Sequence, residues 1–176
     1  MDHPKVLNLF AYTGAASIAA LAGGAQVTHL DSVRQVVTWA RGNMERSGMD
    51  GIRWIVEDAM KFARREARRG NTYDGIILDP PAYGHGPDGE KWKLDECLFE
   101  MLRTVAQILA PHGFVVLNLY SNGYSAALGE TLVREAFGIR PDSPLHGGCR
   151  ITSGELALRD SFGKILPLSI VVRLEL

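Results

Sequence analysis

Cysteine is scarce in this 176-residue chain. Only Cys97 and Cys149 occur, and neither stands in a CxxC or Cys/His ligand spacing, so a disulfide framework and a zinc site both lack support. No metal is expected, and a reducing, cytoplasmic setting is. Long apolar runs are missing too. None approaches the ~20 residues needed to span a bilayer, and Met1-Asp2-His3-Pro4 does not open like a signal peptide, so no membrane partner is expected. Charge of one sign is also absent: 19 Lys and Arg against 20 Asp and Glu leave a net charge of -1, without the basic excess of a free-standing nucleic-acid binder. No internal repeat, low-complexity segment or linker divides the chain. What is present is ordinary for a soluble domain, with 46% hydrophobic and 22% charged residues. A single domain of this length buries about 70% of the surface its unfolded chain exposes.

Short apolar runs alternate with helical patterns, the signature of βαβ units and a parallel sheet. Val6 to Phe10 reads as the first strand, running into Ala11-Tyr12-Thr13-Gly14. A small-residue helix over Ala15 to Ala22 follows and stops at Gly23-Gly24. The second strand, Gln26 to Asp31, ends on a carboxylate. Ser32 and Gln35 then form an expected capping box for a helix buried through Val33, Val36, Val37, Ala40 and Met44. Arg53 to Glu57 is the third strand, after which Asp58 caps a helix that carries Arg64, Arg65, Arg68 and Arg69 and ends at Gly70-Asn71. Gly75 to Leu78 is apolar without alternation, as in a central parallel strand, and delivers Asp79-Pro80-Pro81.

Beyond a Gly/Pro-rich loop ending at Gly89, Leu98, Met101, Leu102, Val105, Ile108 and Leu109 mark an amphipathic helix closed by Ala110-Pro111-His112-Gly113. Phe114 to Leu119 is the next buried strand. A helix near Ser125 to Phe137 and an irregular stretch, Arg140 to Gly148, lead to two strands, Leu156 to Arg159 and Leu166 to Leu176. Their separation by Asp160-Ser161-Phe162-Gly163 predicts an antiparallel strand at the edge. The expected fold is α/β, a doubly wound, mostly parallel sheet.

In such sheets ligands bind outside the carboxyl ends of the strands, where the winding reverses. Gly14, Asp31, Asp58 and Asp79 terminate four successive strands there. Each aspartate alone could merely cap a helix; the ordered set points to a ligand. Gly14 would let the backbone approach it closely, Asp31 could accept both hydroxyls of a ribose, and Asp58 could accept an adenine amino group. Neither GxGxxG nor GxxxxGK[ST] occurs, which disfavours a pyrophosphate. The ligand implied has adenine and ribose but no phosphate.

Val6-Leu7-Asn8-Leu9-Phe10-Ala11-Tyr12-Thr13-Gly14, Asp31-Ser32, Asp58-Ala59 and Asp79-Pro80-Pro81-Ala82-Tyr83 together resemble successive motifs of class I methyltransferases. More narrowly, LFAYTGAAS followed by DPPAYG resembles the group of bacterial large-subunit ribosomal RNA cytosine and guanine methyltransferases. Asn8 replaces the acid of the usual first motif, a departure shared within that group. The resemblance implies a Rossmann-like, seven-stranded sheet and S-adenosyl-L-methionine as cofactor. It also implies cofactor contacts from Asn8, Phe10, Tyr12, Thr13, Gly14, Asp31, Ser32, Asn43, Asp58, Ala59 and Asp79, and a structured ribosomal RNA as partner. Residues 1–176 then form one methyltransferase domain. Because relatives carry substrate-recognition segments before the first motif, the reading of a fragment stays open. The oligomeric state is not readable.

Asp79, Pro80, Pro81 and Tyr83 are the expected catalytic residues. Two prolines fix φ and remove two donors, leaving rigid carbonyls beside a carboxylate, acceptors that suit a base amino group. Tyr83 could stack on a flipped base, or simply pack. Methylating a pyrimidine carbon needs a nucleophile, usually a cysteine, and in the related carbon methyltransferases it follows the strand matching Phe114–Leu119. Here that place reads Asn118-Leu119-Tyr120-Ser121, so nitrogen methylation is expected.

Other features carry two readings each. The arginines from Arg64 to Arg69 could touch RNA phosphate or form a solvated face. Lys91-Trp92-Lys93 suits a lid over substrate or a helix-start anchor, and His85 and His112 read as turn residues. A methyltransferase for a protein side chain or small molecule, and a non-catalytic adenosine-binding module, are the competing functions.

Overall fold

The computed structural model describes residues 3–120, 123–143 and 147–176. Met1, Asp2, Ser121 and residues 144–146 of the irregular stretch, all used in the sequence reading, lie outside these. The described elements run β1 (Lys5–Leu9), α1 (Ala15–Ala22), β2 (Gln26–Asp31), α2 (Arg34–Arg46), β3 (Arg53–Val56), α3 (Ala59–Arg69) and β4 (Tyr73–Leu78). Then come β5 (Tyr83–His85), β6 (Lys91–Lys93), α4 (Leu94–Ala106), β7 (Leu109–Leu119), α5 (Ala126–Ala136), β8 (Arg150–Arg159) and β9 (Ile165–Glu175).

Seven strands form one sheet in the order β3-β2-β1-β4-β7-β9-β8. Pairings from β3 through β7 are parallel, whereas β9 is antiparallel to both its neighbours. The antiparallel strand therefore lies one position in from the edge, and β8 lies outside it. Winding proceeds one way from β1 to β3 and the other way from β4 to β7, so the switch point falls between β1 and β4.

Apolar side chains cover both faces. Leu7, Leu9, Ile76, Leu78 and Leu117 are fully buried with Phe62 of α3, Leu98, Met101 and Leu102 of α4 and Val133 of α5. Val6, Val27 and Met44 of α2 form a second cluster, with Ile18 and Leu21 of α1 against it. No helix among the described residues is long and apolar enough to cross a membrane.

Several boundaries differ from the sequence pattern for local reasons. The Ser32/Gln35 capping box does not form: the N-cap of α2 is Val33, which has no side-chain cap, and its N–H is taken by Asp31 instead. Val33 is exposed and Val36 half-buried, because both face a cleft rather than the core. Helix α4 ends at Ala106 before Ile108 and Leu109, whose apolar side chains are buried by β4 pairing: the Tyr73 N–H donates to the Ile108 carbonyl at 2.9 Å, and Tyr73 pairs with Leu109. Strand β7 consequently begins before Pro111 and His112. The loop after Pro81 holds a small antiparallel sheet of β5 and β6, and β8 starts at Arg150, ahead of its apolar part.

Candidate active site

The turn after β1 is backbone-strained. Phe10 and Tyr12 adopt φ of 57° and 46°, a left-handed conformation that costs a non-glycine residue about 1–2 kcal/mol. Three bonds hold it: the Ala11 N–H donates to the Leu30 carbonyl at 3.0 Å, the Gly14 N–H to the Ala11 carbonyl at 3.0 Å, and the Tyr12 N–H to Asp31 Oδ2 at 3.0 Å. The other Asp31 oxygen accepts the Val33 N–H at 3.0 Å. A carboxylate offers about four acceptor positions, so Asp31 retains capacity toward the cleft beside it.

That cleft, of about 450 Å³, opens at the carboxyl ends of β1, β2 and β4. Of the residues expected at the site, Phe10, Tyr12, Asp31, Ser32, Asp58, Ala59, Asp79, Pro81 and Tyr83 line it. Asp58 does two jobs at once, since its Oδ1 also accepts the Lys61 N–H at 2.8 Å as the N-cap of α3.

Asp79 is half-buried and accepts a hydrogen bond from Asn118 Nδ2 at 2.6 Å. Burial raises the Asp79 carboxyl above its ordinary value, and the Asn118 bond pulls it partly back. Tyr120 stands beside it at the surface: partial loss of water around its hydroxyl, and then the charge of Asp79, raises its phenol. The remaining Asn118 oxygen is buried and has no partner among the described residues.

The other expected residues support the site from behind. Asn8 is buried and donates from Nδ2 to Ser17 Oγ at 2.9 Å, and Ser17 Oγ lies 2.9 Å from His29 Nδ1. The Thr13 carbonyl accepts from Asn43 Nδ2 at 3.0 Å, tying the turn to α2. Gly14 has φ 89°, and a Cβ there would come within 3.0 Å of Ala40 Cβ. Gly14 therefore permits a close approach to α2. Pro80 is buried and outside the cleft lining.

One of the two expected proline carbonyls is already used. Trp92 Nε1 donates to the Pro81 carbonyl at 2.7 Å, and the Trp92 ring packs on Phe10 with centroids 4.7 Å apart. With 5% exposure, and in the core cluster of Leu94 and Leu98 just ahead of α4, Trp92 fits the helix-start anchor rather than a lid, and it also braces the Asp79 loop against the β1 turn. Leu30, Val33, Val36, His85 and Tyr120 line the cleft without having been singled out for it, and Trp92 lines it as well. The aliphatic ones carried an ordinary core pattern, and His85 resembled a turn residue until β5 placed it on the wall.

The arginine helix is largely neutralised. Arg64 pairs with Glu100, Arg65 with Glu57, and Arg69 with Glu66 at 3.4 Å. Glu66 is buried, which raises its carboxyl, but bonds from Asn71 and Tyr73 and the charge of Arg69 bring it below the ordinary value.

The donor set suits a nucleoside without phosphate. Leu30, Val33, Val36 and Ala59 provide apolar walls near two carboxylates that can only accept, matching the ribose diol and an exocyclic amine, both donors. No lysine or arginine lines the cleft among the described residues, leaving nothing to neutralise a pyrophosphate.

Residues 2–146 match the S-adenosylmethionine-dependent methyltransferase family. Ribosomal RNA large subunit methyltransferase I of Aeromonas salmonicida is 32% identical over 75% of this chain and 34% of its own length. Ribosomal RNA large subunit methyltransferase K/L of Shewanella frigidimarina is 32% identical over 65% of this chain and 16% of its own length. The chain thus spans about a third or less of these curated relatives. The S-adenosylmethionine-dependent methyltransferase of Agrobacterium tumefaciens superposes with a TM-score of 0.90 at 42% identity, covering 98% of this chain and 56% of that one. At 22% identity, SMU.776 complexed with SAH shares the fold with a TM-score of 0.80, over 98% of this chain and 45% of its own. The chain belongs to the S-adenosylmethionine-dependent methyltransferase family, with S-adenosylmethionine as its cofactor.

Proposed function

We propose that this domain transfers a methyl group to an exocyclic nitrogen of a base in structured, ribosomal RNA. The observation that carries the reading is Asp79. Its carboxylate is held by Asn118 within the same cleft as Asp31 and Asp58, where exposed Tyr12, Tyr83 and Tyr120 offer aromatic faces. Asp31 binds the ribose of the cofactor and Asp58 the adenine amino group, with Ser32 and Ala59 completing the pocket. The cofactor supplies an electrophilic methyl on a sulfonium. Asp79 accepts a hydrogen bond from the attacking amine, orienting its lone pair, and Tyr83 holds the base by stacking, a contact worth ~1–3 kcal/mol.

The names of the relatives support ribosomal RNA as substrate. Neither cysteine reaches the cleft lining, which supports amine chemistry over covalent activation of a ring carbon. The near-neutral charge favours one second reading, a protein side chain or small molecule as acceptor.

Methyl-labelled cofactor offered with ribosomal RNA tests the proposal. The expected result is label in an N-methylated base after nucleoside digestion, retained when Cys97 and Cys149 are both replaced by Ser. Asp79→Ala should lose most turnover with cofactor binding largely kept. Trapping of a covalent adduct on 5-fluorocytosine-containing RNA would overturn nitrogen chemistry, and label found only in protein or small molecules would overturn the RNA substrate.

A further inference from the structure

The hairpin of β8 and β9 outruns the sheet that supports it. The β7 partnership ends at Leu119 opposite Ile170, so the part from Leu156 to Ser169 continues as two strands alone. Along it Leu156, Leu158, Ile165, Leu166 and Leu168 are exposed, and Phe162 in the turn is 88% exposed. A two-stranded ribbon is marginal in water by itself, and contiguous apolar exposure of this kind marks an interaction surface. Strand β8 is also one of the two edges of the sheet, β3 being the other. Strand β8 contains neither proline nor lysine, and the register shift at Leu156/Ala157 leaves the extra residue on β9, so β8 itself runs unbroken. Of the devices that normally protect an edge, proline, lysine and a bulge on the edge strand itself are missing; the charges it carries are Arg150, Glu155 and Arg159.

From this edge we infer that the domain pairs with a second copy of itself, β8 against β8, antiparallel about a two-fold axis at Ala157. The sequence around Ala157 is self-complementary under that operation. Glu155 meets Arg159 of the second copy, and Leu156 meets Leu158 of the second copy, each pair occurring twice. Alternation along a strand puts Leu156 and Leu158 on one face and Glu155, Ala157 and Arg159 on the other. Leu166, opposite Leu158, extends the apolar face onto β9. The paired hairpins form a four-stranded ribbon with one continuous leucine stripe, which removes apolar surface that the monomer leaves in water.

The charges agree with this partner. Glu155 has no ion-pair partner among the described residues, while Arg159 uses Nη1 on the Gly163 carbonyl at 2.7 Å and keeps further donors. Glu155 and Asp160 balance Arg159 and Lys164, so the projecting ribbon lacks the cationic excess that RNA would require. The surface lies apart from the cleft lining, so pairing and cofactor binding can be read separately.

Sedimentation velocity of the purified chain over a rising concentration series tests the pairing. The expected result is a species of twice 19.3 kDa. Glu155→Arg and Arg159→Glu should each give monomer, because each sets like charges opposite one another twice, and the double variant should restore the dimer by exchanging them. Leu158→Glu should give monomer as a second route. Circular dichroism and binding of S-adenosylhomocysteine should stay unchanged throughout. A wild-type chain that remains monomeric at every concentration would overturn the inference. So would a dimer indifferent to both single reversals, a double variant that fails to recover, or a monomer that instead binds RNA through Phe162.

Discussion

Asp31 and Tyr12 are joined by a hydrogen bond from the Tyr12 N–H to Asp31 Oδ2 at 3.0 Å. The bond spans β2 to the turn after β1 and stabilises Tyr12 at a φ of 46°. Since the other oxygen takes the Val33 N–H, one carboxylate fixes the two backbone segments that flank the cofactor side of the cleft. The proposed ribose ligand is therefore also the brace of its own pocket.

Asp31→Ala should lower affinity for S-adenosylhomocysteine roughly 10- to 100-fold, since charge-assisted hydrogen bonds contribute about 1.5–3 kcal/mol. Calorimetry measures it. An unchanged affinity would remove Asp31 from the cofactor site.

For Asn118, turnover against pH is the informative readout. The Asp79 carboxyl lies above its ordinary value through burial, and the Asn118 bond lowers it. Asp79 works ionised in the proposed role, so the rate falls on the acid side as the carboxylate protonates. Asn118→Ala removes the lowering bond and should move this limb to higher pH, with affinity for S-adenosylhomocysteine preserved. A limb that stays in place would show that Asn118 does not position Asp79.

The arginines of α3 should contribute little to RNA binding, because Glu57 and Glu66 already occupy Arg65 and Arg69. Converting Arg65, Arg68 and Arg69 to Gln should change the log–log salt slope by less than about one unit, the loss expected for a single phosphate contact. A drop near three units would establish the helix as an RNA contact.

His29 predicts an acid-side loss of stability. Burial lowers its pKa from 6.5 to about 4, so between these values the unfolded chain binds a proton that the folded chain excludes. Stability attributable to His29 is complete above pH 6.5, declines as pH falls, and levels off below about pH 4, amounting to roughly 3 kcal/mol. Urea unfolding at pH 7.5, 6 and 5 should show this decline, and His29→Gln should flatten it. Parallel pH profiles of the two proteins would refute the assignment.

The sequence by itself determined the α/β order and the edge at which the candidate site residues collect. Both are local properties: β1, β2 and β4 are apolar runs, and Asp31 and Asp79 stand at or just beyond strand ends where a parallel sheet must present them. The carboxylates at Asp31, Asp58 and Asp79 were legible for that reason. Tertiary structure alone decided which neighbours those groups have. Asn118 reaches Asp79 because β7 pairs beside β4, 39 residues away in sequence. Trp92 takes the Pro81 carbonyl because β6 folds back on β5, and Gly14 is fitted against Ala40 because α2 packs across the turn. Likewise β9 enters between β7 and β8, which leaves β8 as the edge at that end of the sheet. Strand runs and caps depend on neighbours a few residues apart, whereas these contacts depend on register between distant segments, which a period-2 or period-3.6 pattern does not encode.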